Sequence, residues 1–277
     1  MAHPAEQVAP KTSTAAGWIK WHPWNEVAMR PLSNWVCEAA HLAPGQRVLD
    51  VGAGTGIPSL AVAARIQPGG SVVAVDNTAT MLEAAERNAR AAHLDNVTFR
   101  EMAAENLDFP DESFDAVTST LTLMFCPDPA RVVAEMRRVL KPGGRFAFAV
   151  WDEPAKNPLF TTTLSTVGQL LHLPPPDPNA PGPFRLAKEG ELAAVLRAGG
   201  FLDAKLASLP FEVSIESIDQ HWEIFSDMMP LLKKAAATSP PGEVAKLRGA
   251  LRDALSPHLD GSRVLLTATP LTASGRK

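Results

Sequence analysis

The chain has 277 residues, and its 30 acidic against 26 basic side chains leave a formal net charge of −4. That length holds one large α/β domain with elaborations, while the acidic balance argues against a dedicated nucleic-acid binder, which needs clustered positive charge for phosphates. A hydrophobic share of 45% excludes wholesale disorder, and two cysteines, Cys37 and Cys126, can supply neither a disulfide framework nor, alone, a structural zinc site.

Residues 1–17 are rich in Ala, Pro, Ser and Thr, with no apolar period and no signal-peptide core, and read as a flexible leader. Four of the six tryptophans follow, at Trp18, Trp21, Trp24 and Trp35. Apolar residues there recur with a helical period interrupted by Pro31, so 18–44 reads as an N-terminal helical segment. From Arg47 short apolar runs alternate with helix-period stretches. Strands are expected at 48–51, 71–75, 97–100, 114–118 and 145–151, with helices at 58–64 and 81–92. Another helix starts with Asp128 as N-cap and Pro129 as its first residue, and Lys141-Pro-Gly-Gly144 stops it. Its Arg131, Arg137, Arg138 and Lys141 read as a solvated face. Strict alternation predicts a Rossmann-like, doubly wound, mostly parallel sheet with helices on both faces and ligands at the carboxyl ends of its strands.

Beyond Trp151 the pattern loosens. Residues 157–188 are a proline-heavy excursion, 189–197 a helix stopped by Gly199-Gly200, and 204–213 a strand broken or edged by Pro210. Helices are expected at 217–237 and 243–255, a last strand at 263–269, and a frayed tail at 272–277. The longest apolar stretch, 146–151, is far too short to span a bilayer. The chain therefore reads as reduced, cytoplasmic and soluble.

Asp50-Val-Gly-Ala-Gly-Thr-Gly56 sits where a strand hands over to a helix. Glycines at 52, 54 and 56 let the backbone turn sharply and let a ligand approach without meeting a Cβ. A dinucleotide fingerprint would want glycine where Ile57 stands, and a phosphate loop would continue with Gly-Lys-Ser/Thr. Asp50 instead places negative charge where a pyrophosphate would lie, which suits a ligand bearing an ammonium and a sulfonium, held directly or through water. Asp76, twenty residues past Gly56 at the next strand end, suits both hydroxyls of a ribose. A nucleoside with a cationic, phosphate-free tail is S-adenosylmethionine.

These residues resemble the class I S-adenosylmethionine-dependent methyltransferases, in particular their small-molecule, ubiquinone/menaquinone-biosynthesis-like branch. The resemblance runs over about residues 45–151. Residues 48–56 look like the first family motif, Val73-Val-Ala-Val-Asp76 the second, Phe114-Asp-Ala-Val-Thr-Ser119 the fourth-strand motif, and Leu140-Lys-Pro-Gly-Gly144 the turn after the following helix. It implies a seven-stranded sheet with a helical lid, built from the N-terminal segment and insertions at about 157–188 and 215–258, on a domain running from 45 to 277. It also implies that Gly52, Gly54 and Gly56 lie along methionine and ribose, that Asp76 holds the ribose, and that Asn77 faces the adenine edge. Met81 and Ala104 join the expected cofactor contacts, and Ser119 and Thr120 approach the methionine end. Many relatives place an acid followed by Ala after the third strand. Here that pair is Ala103-Ala104, so the adenine amino group is left to Glu105, just beyond, or to a backbone carbonyl, unless adenine is held by Leu107 and stacking alone.

Methyl transfer from a sulfonium asks the protein chiefly to align three atoms and exclude water. A base is needed only where the acceptor carries a proton to lose; His22 and His221 are the candidates. Trp18, Trp21, Trp24, Trp222 and Met228 suggest a small, apolar or aromatic acceptor in primary or secondary metabolism. No metal and no nucleic-acid partner is expected, and homodimerisation is left open. The rivals are a protein that binds the cofactor without transferring methyl, a nicotinamide oxidoreductase on a related sheet, and an enzyme with a macromolecular substrate.

Overall fold

The computed structural model describes residues 12–173, 177 and 180–277. Residues 1–11 of the expected leader lie outside them. Five strands come first: β1 (Arg47–Val51), β2 (Ser71–Asp76), β3 (Val97–Glu101), β4 (Phe114–Thr120) and β5 (Leu140–Trp151). The later strands are β6 (Lys205–Ser208), β7 (Phe211–Ile215), β8 (Leu259–Asp260), β9 (Arg263–Ala268) and β10 (Pro270–Arg276). The main sheet has seven strands in the order β3-β2-β1-β4-β5-β10-β6. β1 to β5 pair in parallel, and β10 runs antiparallel between β5 and β6. The strand order reverses between β1 and β4, which opens a crevice at their carboxyl ends.

Helices α1 (Thr12–Lys20), α2 (His22–Ala28) and α3 (Arg30–Ala39) precede the sheet, and α4 (Ser59–Arg65), α5 (Ala79–Ala91) and α6 (Pro129–Val139) connect its strands. The rest are α7 (Pro158–Leu170), α8 (Glu191–Ala198), α9 (Ile218–Met228), α10 (Pro230–Thr238) and α11 (Pro241–Leu255). Side chains on β5 divide with the period of a strand: Phe146, Phe148 and Val150 enter the core that holds Val132, Val133 and Met136 of α6. Ala147 enters the opposite layer with Val36 of α3 and Val62 of α4. Asp128 caps α6 by accepting from the Arg131 amide at 3.0 Å, and Pro129 needs no hydrogen on its nitrogen at the first helical position.

Several sequence expectations are corrected. Residues 12–17 are the first turns of α1 rather than leader. The excursion from 157 contains α7, whose Leu159, Thr163 and Val167 are buried. The strand expected at 204–213 is two strands in different sheets, split next to Pro210, because β7 leaves the main sheet to pair with β9 in a three-stranded antiparallel sheet. The helix expected at 217–237 breaks into α9 and α10 at Pro230. Residues 272–277, expected to fray, belong mostly to β10, inside the main sheet. The solvated face expected on α6 is partly engaged as well. Arg138 donates to the carbonyls of Leu107 and Phe109 and to Glu135 and Asp111, so it ties down the loop after β3. No helix among the described residues is long and apolar enough to cross a membrane.

Candidate cofactor and acceptor site

Gly52 leaves β1 at φ +82°, in the left-handed region that side chains rarely adopt. A Cβ there would lie 2.0 Å from the Thr122 Oγ1. The turn is thus closed from the β4 side by Thr122, which itself donates to the Thr120 carbonyl at 3.0 Å. Gly54 and Gly56 also have positive φ, and the nearest side-chain atom to a Cβ on Gly54 would be the Met81 methyl at 3.6 Å. Leu121, beside Thr122, holds φ +56°, an uncommon backbone state for a branched side chain. Such strain concentrates at functional sites.

Asp76 stands across from this turn. One of its carboxylate oxygens accepts from the Gly54 amide and the other from the Thr78 amide, each at 3.0 Å. Burial pushes its pKa up, and these amide donors oppose the rise. The carboxylate is only half-buried, so lone pairs remain for hydroxyl donors from the crevice. Asn77 next to it is exposed, and Met81 is half-buried.

Asp50, expected to attract the ligand directly or through water, faces inward. It is fully buried, and its two oxygens accept from the Ser59 Oγ and, at 2.7 Å, from the Thr118 Oγ1. Burial raises its pKa to about 6, so it is mostly ionised at neutral pH, beneath the turn rather than on the crevice wall. Ser119 is likewise turned inward, donating to the Val51 carbonyl at 2.9 Å, and Thr120 is buried. The Ser119 hydroxyl thus ties β4 to β1.

After β3 the chain stays beside Asp76, because the Met102 amide donates to the Asp76 carbonyl at 2.9 Å. The following turn carries a half-buried Ala104 and Glu105. Glu105 has a buried Oε1 with no hydrogen-bond partner, while its backbone carbonyl accepts from Arg131 at 2.9 Å. A buried carboxylate oxygen without a donor is costly unless a ligand supplies one. The left-handed glycine turn, the partly open Asp76 carboxylate and this oxygen fit a nucleoside with an amino-bearing base.

The acceptor-side residues are less convergent. His22, buried at the start of α2, places its Nδ1 2.8 Å from the Thr55 Oγ1 in the glycine turn, and burial lowers its pKa. His221 is fully buried on α9, 3.2 Å from the Thr163 Oγ1 and stacked on Phe225 with centroids 4.3 Å apart. Burial takes its pKa down to about 4, and its Nδ1 has no partner. It packs between α7 and α9 and lines a small cavity with Trp222 of α9 and Arg248 and Leu251 of α11. Trp222 packs under the Arg248 guanidinium of α11 at 4.8 Å, away from the glycine turn. Trp21 and Trp24 donate to Asp227 and to the Ser214 carbonyl, and Met228 and Trp18 are half-buried. Thr55, Ser59, Thr118, Thr122 and Asp227 escaped the sequence reading, because isolated hydroxyl and acidic residues carry no periodic signal.

The methyltransferase domain family matches residues 49–148. A demethylmenaquinone methyltransferase of Symbiobacterium thermophilum is 37% identical over 134 residues, covering 48% of this chain and 49% of that protein. Another, from Clavibacter sepedonicus, is 44% identical over 110 residues, covering 40% and 43%. The match thus spans about half the length of these curated relatives. Among solved structures, the YcgJ protein of Bacillus subtilis superposes with a TM-score of 0.57 at 23% identity, covering 88% of this chain and 97% of its own, and shares the fold. The [4+2]-cyclase SpnF superposes with a TM-score of 0.53 at 25% identity, covering 89% and 80%.

Proposed function

We propose, from the premise that residues 49–148 are a class I S-adenosylmethionine-dependent methyltransferase domain, that the whole chain transfers a methyl group to a small, largely apolar or aromatic metabolite. The observation that carries the reading is the pairing of a left-handed glycine turn with Asp76, whose carboxylate holds the Gly54 amide and keeps an open side. When bound, S-adenosylmethionine supplies an electrophilic methyl group on a sulfonium. Asp76 accepts from the ribose hydroxyls, and Glu105 accepts from the adenine amino group through the oxygen that otherwise lacks a donor. Gly54, where an added Cβ would meet only the Met81 methyl at 3.6 Å, would let the methionine tail approach the backbone, while the space beside Gly52 is taken by Thr122. The Asp50 carboxylate, enclosed by Ser59 and Thr118, adds a negative field from below without touching the ligand.

The acceptor sits over the carboxyl ends of β4 and β5, between the N-terminal helices and those following residue 157, which we assign as the lid. Its apolar character is supported by the buried or half-buried Trp151, Phe160, Phe184 and Met229 packed at that end. The similarity to demethylmenaquinone methyltransferases, which by name act on demethylmenaquinone, supports this assignment. His22, engaged by Thr55, and His221, engaged by Thr163, are the groups that would take a proton where the acceptor has one to lose.

Calorimetric titration with S-adenosylhomocysteine and NADH tests the cofactor. S-Adenosylhomocysteine is expected to bind and NADH not, and Asp76→Ala is expected to weaken the former by at least about tenfold, or 1.4 kcal/mol, with unchanged circular dichroism. Equal affinity in wild type and variant would overturn the reading. An acceptor screen that detects S-adenosylhomocysteine, with mass analysis of products, then identifies the substrate. A second reading, cofactor binding with other chemistry, is favoured by the likeness to a [4+2]-cyclase. Tight cofactor binding without turnover across a broad acceptor panel would establish it instead.

A further inference from the structure

The segment between Gly17 and Trp24 touches both halves of the candidate site. At one end α1 lies against α9 so closely that a Cβ on Gly17 would fall 2.3 Å from the Asp227 carbonyl oxygen. Asp227 then accepts on one carboxylate oxygen from the Lys20 ammonium at 2.8 Å and from the Trp21 indole at 2.9 Å. The Lys20 ammonium also lies 4.8 Å over the Trp21 ring, and the lysine and tryptophan together hold Asp227 well below the usual carboxylate range. One residue later the chain reaches the cofactor side, where His22 meets Thr55 of the glycine turn. Two residues further on, Trp24 returns to the acceptor side at the Ser214 carbonyl of β7. Helix α1 also packs on α5, the helix that follows Asp76.

We propose that residues 17–24 are a strap fastened to Asp227, and that it must leave Asp227 for the cofactor to enter or depart. The proposal rests on the cofactor reading above and adds a route by which the acceptor-side helix α9 controls the cofactor. Asp227 is a positioning residue in this scheme. It touches neither cofactor nor acceptor, and it acts by holding α1 so that His22 reaches the turn. At equilibrium the coupling is reciprocal: a fastened strap that strengthens cofactor binding is itself strengthened, by the same factor, when cofactor is bound. The Asp227 contacts are partly exposed, with side-chain accessibilities of 58% for Lys20 and 34% for Asp227, so salt weakens them.

The test is the dissociation rate of S-adenosylhomocysteine, by stopped-flow displacement, together with hydrogen exchange across residues 12–24. Asp227→Ala is expected to speed release by at least about fivefold, the lower end of ordinary coupling between sites. Trp21→Phe, which keeps a smaller aromatic ring and removes the indole donor, is expected to fall between it and wild type. Raising salt is expected to speed release from wild type and to change Asp227→Ala little. Bound S-adenosylhomocysteine is expected to slow exchange across 12–24 in wild type, and less so in Asp227→Ala. If Asp227→Ala fails to fold, Trp21→Phe and Lys20→Met carry the same test. Wild-type release rates in these variants, or exchange across 12–24 that ignores the ligand, would overturn the strap. Failure of wild type to bind S-adenosylhomocysteine at all would instead overturn the cofactor reading.

Discussion

His22 and Thr55 join the N-terminal helices to the glycine turn through a contact of 2.8 Å between the imidazole Nδ1 and the hydroxyl Oγ1. Both residues are buried, at 7% and 5% exposure, so neither can exchange the partner for bulk water without opening α2. Thr55→Val keeps the shape of the side chain and leaves the imidazole nitrogen alone. The expected cost is about 1–3 kcal/mol of stability, the ordinary penalty for a buried polar group without a partner. Urea denaturation measures it, and S-adenosylhomocysteine affinity is expected to fall in parallel. Thr55→Ser, which restores the hydroxyl, is expected to recover most of both.

Gly52→Ala meets two obstacles at once. The backbone there is left-handed, which costs an L-residue roughly 1–2 kcal/mol, and the new methyl would strike Thr122. The variant is expected to fold less stably and to lose cofactor affinity, because the turn must shift into the crevice. Adding Thr122→Gly removes the collision but not the backbone cost, so thermal melting is expected to show partial recovery. Full recovery would mean that the left-handed conformation costs nothing here.

The parallel half of the fold was legible because each element there announces itself with a period, a cap or a stop, as Asp128, Pro129 and the 141–144 turn do for α6. The glycine turn and the acid facing it were legible for a related reason: Gly52, Gly54, Gly56 and Asp76 stand at fixed distances along one βαβ unit, whose fold brings the Gly54 amide to Asp76. What the sequence hid are pairings chosen by the tertiary fold. Asp227 meets Trp21 across 206 residues, and Asp50 meets Thr118 across 68, with nothing local to mark either. The inward turn of Asp50 escaped the sequence for that reason, since the hydroxyls at 59 and 118 that engage its two oxygens are chosen by the fold. α7 was masked by the prolines that follow it.

His221 makes the fold sensitive to acid. Its pKa falls from 6.5 to about 4 on burial, so the unfolded chain takes up a proton first as the pH drops. Its contribution is complete above pH 6.5, is lost between pH 6.5 and about 4, and falls no further once both states are protonated. A shift of that size corresponds to about 3 kcal/mol. His221→Gln cannot titrate and can still bond Thr163. Between pH 7.5 and 4.5, wild type is expected to lose more stability in urea than this variant by a few kcal/mol. The opposite drift from Asp50, whose raised pKa favours the fold at low pH, is present in both proteins and cancels. Parallel pH profiles would mean that the ring is solvated in solution.

The final strand offers the sharpest contrast between composition and structure. Residues 270–276 include Thr, Ser and Gly and lack a run of branched apolar side chains, yet β10 pairs with β5 along its whole length and with β6 along its middle. The small residues are there because β5 brings aromatic rings to the interface. Gly275 stands opposite Phe146, and a Cβ on it would lie 2.8 Å from the Phe146 ring. Gly275→Val must displace a fully buried ring that also packs on Phe148 and Phe201. Overpacking of this kind costs roughly 1–3 kcal/mol, and Phe146→Leu in the same chain is expected to return part of it. Deleting residues 270–277 exposes both β5 and β6 and is expected to abolish the cooperative thermal transition. A shortened chain that melts like wild type would show that the strand is dispensable, as a loose tail would be.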